Sequence, residues 1–196
     1  MKKVIGVTGG IASGKSNVLN VIRNLGYKVI DTDFITHDLQ KKGKPIYNKI
    51  KEAFGKDYFL SNGELDRAKL GYLIFHDEAA KNKLNSIAHP LIHDVVLKEI
   101  EESMDEIIFI DVPLLYESKF DSLCDKVICV YLDRDIQIQR LMERDKINYE
   151  YANSKISSQM DLNKKRDLAD YIIDSKGTFD ETNVQILKIL EQIKGV

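Results

Sequence analysis

Apolar positions along the chain alternate between short β-branched runs and stretches with a helical period. Residues 2–8, KKVIGVT, form an apolar run that ends at two glycines, and this pattern predicts a buried strand. Residues 15–26 carry apolar side chains at helical spacing and end in a glycine, which predicts a helix with a C-terminal stop. Residues 27–33 predict a second strand. A strand, a helix and a strand joined by short links form a βαβ unit, and this unit predicts a parallel sheet.

The pattern changes between about residues 34 and 104, where helical periodicity replaces the strand pattern. The stretch 83–104 predicts a long helix, with Pro90 marking a break or a new first turn. Beyond it the apolar pattern predicts three more strands, over residues 106–115, 126–133 and 170–174. The remaining stretches predict helices over 135–145, in the polar and basic segment 149–167, and over 179–193.

Composition and charge narrow the classes of function. The 196 residues are 43% hydrophobic and 31% charged, which is ordinary for a globular protein. The net charge of -2 provides no global positive field, so we expect neither nucleic acid nor a membrane surface as partner. We expect no transmembrane helix and no signal peptide. Cys124 and Cys129 form no CxxC motif, and we expect free thiols in a reducing cytoplasm.

The segment GGIASGKS contains the spacing G-x-x-x-x-G-K-[ST], with Gly9, Gly14, Lys15 and Ser16 at the defining positions. It lies between the first predicted strand and the first predicted helix, which is the context that this motif requires. Glycines let successive N–H groups point at phosphate oxygens, and the helix N-terminus adds its positive dipole end. We expect Lys15 to reach the β- and γ-phosphates and Ser16 to bind Mg²⁺. The motif therefore predicts binding of a nucleoside triphosphate.

The predicted fold class is α/β, a three-layer fold of the P-loop NTP hydrolase or nucleotide kinase type with a five-stranded parallel sheet. The core is expected over about residues 1–35, 105–135 and 169–196. Two helical excursions interrupt it: an acceptor-binding insertion over about 36–104, and a lid over about 136–168. The whole chain is expected to form one domain.

A GTPase switch is excluded by its missing base-reading motif. Such a switch needs N-K-x-D after a late strand, but NKKRD at residues 163–167 has Arg166 where the aspartate belongs. We interpret this segment as a solvated basic face. A small-molecule kinase remains, and it needs a carboxylate near the acceptor hydroxyl.

Asp31 and Asp33 follow the second predicted strand, at the edge of a parallel sheet where ligands bind. Either carboxylate suits a general base or a Mg²⁺ partner, and either suits a helix N-cap equally well on spacing alone. Asp111 lies in the third predicted strand, where a carboxylate can assist Mg²⁺ or have no ligand at all.

Arg140 and Arg144 are four residues apart on a predicted helix and share a face. They suit a clamp on the γ-phosphate, or a surface ladder paired with acidic residues. Lys164, Lys165 and Arg166 would extend a basic lid. His89 and His93 have the spacing H-x-x-x-H but no third ligand, so we expect a helix face or a substrate contact rather than a metal site.

Taken together, these motifs resemble the dephospho-CoA kinase family nearly from end to end. The segments that carry the resemblance are VTGGIASGKS, IDTDFITHDL, LDRAKLGYLIF, LNSIAHPLI, VPLLYE and ADYIIDSKGT, with lid positions Gln137, Arg140, Arg144 and Gln159. The resemblance implies transfer of the γ-phosphoryl group of ATP to the ribose 3′-hydroxyl of 3′-dephospho-CoA, giving CoA and ADP with Mg²⁺ as cofactor.

The resemblance also implies roles for individual residues. Asp33 would be the base, with Lys15 and Arg140 the other catalytic residues. The residues expected to bind ATP are Gly9, Gly10, Ile11, Ala12, Ser13, Gly14, Lys15, Ser16, Asn17, Arg144, Ser175 and Gly177. The residues expected to bind the acceptor are Asp33, His37, His89, Leu114 and Arg140. Asp31 would be a cap or a support, and Ser16 and Asp111 would hold Mg²⁺.

Two positions depart from the family pattern. Asn17 stands where threonine is frequent, and Ser175 replaces an asparagine near the adenine. Two alternatives remain: another small-molecule P-loop kinase acting on a nucleotide or nucleoside, and a nucleotide-binding regulator without catalysis. We expect a cytoplasmic monomer or small homo-oligomer.

Overall fold

The computed structural model describes residues 2–195. Five strands are β1 (Lys3–Gly9), β2 (Lys28–Asp31), β3 (Ile107–Asp111), β4 (Lys126–Tyr131) and β5 (Tyr171–Asp174). The helices are α1 (Lys15–Asn24), α2 (Thr32–Leu39), α3 (Pro45–Phe54), α4 (Arg67–His76), α5 (Glu78–Glu102), α6 (Arg134–Asp145), α7 (Tyr149–Ser157), α8 (Leu162–Leu168) and α9 (Phe179–Lys194). Two short 3₁₀ turns lie at Lys56–Tyr58 and Phe120–Leu123.

The chain divides into two compact units, one holding the residues up to Ile30 and from Met104 onward, the other holding Asp31–Ser103. The sheet of the first unit has the strand order β2-β3-β1-β4-β5. β1 pairs in parallel with β3 on one side and β4 on the other, and β4 pairs in parallel with β5. This is the predicted three-layer α/β fold with a five-stranded parallel sheet.

The core of this unit forms where the sheet meets α1 and α9. β1 is buried from its second residue onward, as expected for a central parallel strand covered on both faces. Buried residues of this core include Ile5, Val7, Phe109, Ile128, Val130, Ile173, Val18, Leu19, Ile22, Ile186 and Leu190. Tyr27 packs its ring edge against Phe109, with 5.3 Å between ring centroids.

The second unit consists of α2 to α5, with one isolated β-bridge between Phe59 and Leu65 in the described residues 31–103. Its helices bury Ile46, Ile50, Leu70, Ile92 and Val96. The expected absence of strands in this region is therefore confirmed apart from that bridge.

The prediction of a break at Pro90 is wrong. α5 runs without interruption from Glu78 to Glu102, and the exposed ring of Pro90 lies inside it. A proline in this position removes one backbone hydrogen bond. Packing of the apolar side of α5, at Leu84, Ala88, Ile92 and Val96, offsets that cost.

Three boundaries also differ from the predictions. β2 ends at Asp31 because Thr32 begins α2, and β3 ends at Asp111 rather than continuing to Leu115. Pro113 explains the second difference, since it has no N–H to donate to a neighbouring strand. The basic segment 149–167 forms two helices, because Asp161 caps α8 through its bond from Asn163 N–H at 2.8 Å.

Both cysteines are free thiols, as expected. Burial raises the pKa of Cys124 and of Cys129 to about 12. Among the helices of residues 2–195, none combines the length and the apolar character needed to cross a bilayer.

Replacing Phe109 tests the core. Phe109→Ala removes a fully buried ring, so we expect the free energy of unfolding to fall by about 3–5 kcal/mol in urea titrations. Phe179→Ala is the matched control, since Phe179 is 72% exposed, and should change stability by less than about 0.5 kcal/mol. A loss below about 1 kcal/mol at Phe109 would contradict this description of the core.

Candidate active site

The loop between β1 and α1 takes its shape from two residues in the left-handed region. Ala12 has φ 59° and Gly14 has φ 85°. Ser13 N–H donates to the carbonyl of Gly10 at 3.1 Å, which closes a turn. Within the described chain, α1 has no side-chain cap and no acidic residue in its first turn. The positive end of its dipole is therefore not neutralised locally and suits a polyphosphate.

Lys15 forms an ion pair with Asp111, the last residue of β3. The two side chains are only 14% and 12% exposed, so water screens the pair weakly. The sheet register explains the meeting, because Asp111 lies opposite Val7 of β1, the strand that leads into the loop. The predicted phosphate-binding lysine and the predicted strand-end carboxylate are thus brought together.

The oxygen donors of this region fit a hard divalent cation. Ser16 is an exposed hydroxyl in the first turn of α1, and Asp111 supplies a carboxylate. No group of three or more histidine, cysteine or acidic residues within residues 2–195 is arranged to hold a metal. Binding of Mg²⁺ by Ser16 and Asp111 stays a prediction.

Ser175 anchors the end of β5 to the phosphate loop. Its hydroxyl lies 2.6 Å from the carbonyl oxygen of Ser13 and 3.0 Å from that of Tyr131, so its single proton faces two acceptors. A Cβ on Gly14 would lie 3.5 Å from the Cβ of Ser175. The predicted contact between Ser175 and the adenine of ATP stays a prediction.

Arg140 reaches the same place from α6. Its Nη2 donates to the carbonyl oxygen of Ser175 at 3.0 Å. Arg144 behaves differently, because its Nε and Nη2 donate to both carboxylate oxygens of Asp145, at 2.7 Å and 3.3 Å. This hydrogen bonding lowers the pKa of Asp145 and raises the pKa of Arg144. Binding of ATP by Arg144 therefore stays a prediction.

The start of α9 explains why position 177 is a glycine. Thr178 and Glu181 form a reciprocal capping box at the start of α9, in which Thr178 N–H donates to Glu181 Oε2 at 2.7 Å. A Cβ on Gly177 would collide with the Glu181 carboxylate.

Leu114, predicted to bind the acceptor, is 39% exposed in the segment after β3.

Asp31 and Asp33 of the second unit differ in their place at the start of α2. Asp31 is the N-cap of α2, as expected, and its Oδ1 accepts from Phe34 N–H at 2.9 Å. Asp33 is exposed in the first turn of the same helix. Asp31 is thus used as a helix cap, and the role of Asp33 as the base stays a prediction.

Arg67 lies within the motif LDRAKLGYLIF but carried no predicted role. Its guanidinium contacts His37 Nδ1 and donates through Nη2 to the His37 carbonyl at 3.1 Å. A guanidinium has no acceptor, so His37 Nδ1 must be the unprotonated nitrogen and Nε2 carries the proton. His37 therefore presents an N–H donor.

His89 is half-buried on α5, and burial lowers its pKa, so it is neutral at pH 7.

The prediction that Lys165 belongs to a solvated basic face is wrong. Lys165 is completely buried, and its Nζ lies 2.9 Å from Glu117 Oε1 and 2.7 Å from the Pro113 carbonyl oxygen. The residues around it in the sequence are polar and basic, so the apolar pattern held no signal for its burial.

A parallel sheet with strand order 2-3-1-4-5, a glycine-rich loop at the end of its central strand, and a lysine and a serine entering the next helix define a P-loop nucleotide-binding protein. Comparison with known proteins identifies the particular family. The family model for dephospho-CoA kinase matches residues 3–181. The chain belongs to the dephospho-CoA kinase family.

One curated relative and one solved structure have the same family name, and a further solved structure is similar in fold. A dephospho-CoA kinase of Bacillus cereus is 44% identical over 196 residues, covering 98% of each chain. The structure of dephospho-CoA kinase from Campylobacter jejuni is 30% identical with a TM-score of 0.74, covering 100% of this chain and 99% of the other. A structure from Thermus thermophilus, 25% identical, has a TM-score of 0.87 and covers 98% of this chain and 97% of the other.

Removing the Ser175 hydroxyl tests its structural contact with the loop. We expect Ser175→Ala to lower the free energy of unfolding by about 1–2 kcal/mol, because the carbonyl of Ser13 loses a donor in a buried position. Urea titration measures the change. Ser158→Ala removes an exposed hydroxyl and should stay within about 0.5 kcal/mol of the unaltered protein. Equal stabilities of the two variants would show that the Ser175 contact contributes nothing.

Proposed function

We propose that this protein transfers the γ-phosphoryl group of ATP to the ribose 3′-hydroxyl of 3′-dephospho-CoA, giving CoA and ADP. The observation that carries the proposal is the family match over residues 3–181, which includes the phosphate loop, the Asp31–His37 segment and the Arg140 region. The geometry of the loop and the Lys15–Asp111 pair support a site for ATP.

Phosphoryl transfer demands placement and charge stabilisation more than covalent chemistry. Residues 9–17 would cradle the phosphates, and Lys15 would exchange its partner Asp111 for the β- and γ-phosphate oxygens. Ser16 and Asp111 would hold Mg²⁺, which supplies a Lewis acid that neutralises phosphate charge. The guanidinium of Arg140 would stabilise the negative charge that develops on the transferred group.

Residues of the insertion, about 36–104, would bind the acceptor together with Asp33 and Leu114. Asp33 would take the proton of the 3′-hydroxyl as it attacks. His37 would donate its Nε2–H to the acceptor, with its tautomer held by Arg67. His89, neutral at pH 7, would add a further polar contact.

The segment of about residues 136–168 would form the lid that keeps water from the γ-phosphate. We propose placement in the cytoplasm, where reducing conditions keep thiols such as Cys124 and Cys129 free. We keep the expectation of a monomer or small homo-oligomer.

The decisive experiment incubates the purified protein with Mg²⁺-ATP and either dephospho-CoA or a panel of nucleotides and nucleosides, with ADP formation as the readout. We expect ADP and CoA with dephospho-CoA only. Transfer to a nucleotide instead would favour the alternative small-molecule kinase, and ATP binding without any transfer would favour a regulator.

Replacing Asp33 tests the base. We expect Asp33→Asn to lower kcat at least a hundredfold while ATP affinity stays unchanged, because the amide cannot accept the proton. The matched control is Asp38→Asn on the same helix, where the carboxylate pairs with Lys41 and Lys44 at the surface. Normal turnover of the Asp33 variant would remove this residue from the mechanism.

Replacing Arg140 tests charge stabilisation in the transition state. We expect Arg140→Ala to lower kcat by roughly a hundredfold or more with a smaller effect on KM, since the interaction strengthens as charge develops. Arg140→Lys retains the positive charge and should recover part of the rate. A change confined to KM would show that Arg140 only binds a substrate.

A further inference from the structure

Two consecutive peptides at the tip of the phosphate loop are held by glutamine side chains. Ile11 N–H donates to Gln159 Oε1 at 3.2 Å. Gln137 Nε2 donates to the Ile11 carbonyl oxygen at 2.7 Å. One glutamine thus binds the peptide before Ile11 and the other binds the peptide after it. Both glutamines lie more than 120 residues away along the chain.

The first glutamine fits closely against the loop. Gln137 is 2% exposed on α6. A Cβ on Gly10 would collide with Gln137 Nε2 and would lie 3.1 Å from Leu162 Cδ2. The approach of Gln137 therefore requires glycine at position 10, a requirement separate from binding phosphate.

The backbone beside the second glutamine is held by an ion pair whose lysine is fully buried. Gln159 precedes Met160, whose N–H donates to Glu117 Oε1 at 2.9 Å. The same oxygen lies 2.9 Å from Nζ of the fully buried Lys165, which also donates to the Pro113 carbonyl at 2.7 Å. Charge-assisted bonds of this kind are short and strong when both partners are held. These bonds hold the backbone at Met160 in place, and the neighbouring Gln159 side chain therefore reaches Ile11 N–H.

The peptides held in this way lead into an unfavourable conformation. Ala12 has φ 59°, a left-handed conformation that is unfavourable for a residue with a Cβ. The side chains of Ile11 and Ala12 pack against a cluster formed by Ile138, Leu141, Ala152 and Ile156 of α6 and α7. A strained residue persists where its surroundings over-determine it, and here hydrogen bonds and packing do so together.

We infer that Gln137 and Gln159 are positioning residues that hold the phosphate loop in its ATP-binding conformation. They do so by fixing the peptides on both sides of Ile11 and thereby the left-handed Ala12. The inference rests on the proposed function only in that the loop binds ATP. A loop without this hold populates its binding conformation less, and its apparent affinity falls by that fraction.

The experiment compares ATP affinities of methionine variants by calorimetry. Gln137→Met and Gln159→Met keep the side-chain volume but remove the hydrogen bond, and we expect ATP to bind roughly tenfold more weakly to each. The loss in the double variant should be smaller than the product of the two, because both residues hold one loop. Gln139→Met on the same helix is the control, since Gln139 is exposed and contacts Glu143. It should bind ATP as the unaltered protein does.

A second substitution separates positioning from packing. Ala12→Gly permits the left-handed conformation at little cost, so we expect it to restore several-fold ATP affinity to Gln137→Met. If Gln137 served only in the packing of α6, Gln137→Met would lower the melting temperature. Ala12→Gly would then not restore the affinity for ATP. Unchanged affinity in both methionine variants, or no recovery with Ala12→Gly, would overturn the inference.

The outcome is distinguishable from a failure of the proposed function. An unaltered protein that binds no ATP would overturn both. An unaltered protein that binds ATP but transfers phosphate to no acceptor would overturn the proposed reaction, while weaker binding by the glutamine variants, with recovery at Ala12→Gly, would still support the positioning role.

Discussion

Pairing of β1 on both of its edges is the constraint on which the first unit depends. β3 and β4 hydrogen-bond to it in parallel, so the end of β1 lies at the middle of the sheet and its direction is determined from two sides. The phosphate loop begins at that end. The same register brings Asp111 opposite Val7, and from there its carboxylate meets Lys15. A charged pair in a weakly screened position thus follows from backbone pairing among apolar strands.

The features that could be predicted are those with a periodic or a spaced signal. β-branched runs indicated the five strands, and the loop motif indicated where the first helix begins. Boundaries were less accessible, because they depend on single residues: Pro113 leaves β3 without a donor, and Asp31 both closes β2 and caps α2. Pro90 shows the opposite case, in which packing of α5 overrides a local helix breaker.

Side-chain partners far apart in sequence gave no pattern to find. Lys165 lies in a polar, basic segment. Only the fold shows that its ammonium group pairs with Glu117 and donates to the Pro113 carbonyl. Arg67 is similar, since its contact with His37 spans 30 positions. Gln137 and Gln159 were recognisable as family positions, but no spacing rule connects them with a peptide 126 or 148 residues away.

The burial of the two cysteines has a consequence for an enzyme acting on this class of substrate. Dephospho-CoA and CoA both end in a thiol, so such an enzyme meets a reactive sulfur at every turnover. Thiol–disulfide exchange requires a thiolate with access to its partner. With pKa values of about 12, Cys124 and Cys129 are almost wholly protonated at neutral pH, and Cys129 is also shielded from solvent. Both thiols are therefore poor nucleophiles toward an oxidised, disulfide form of such a substrate.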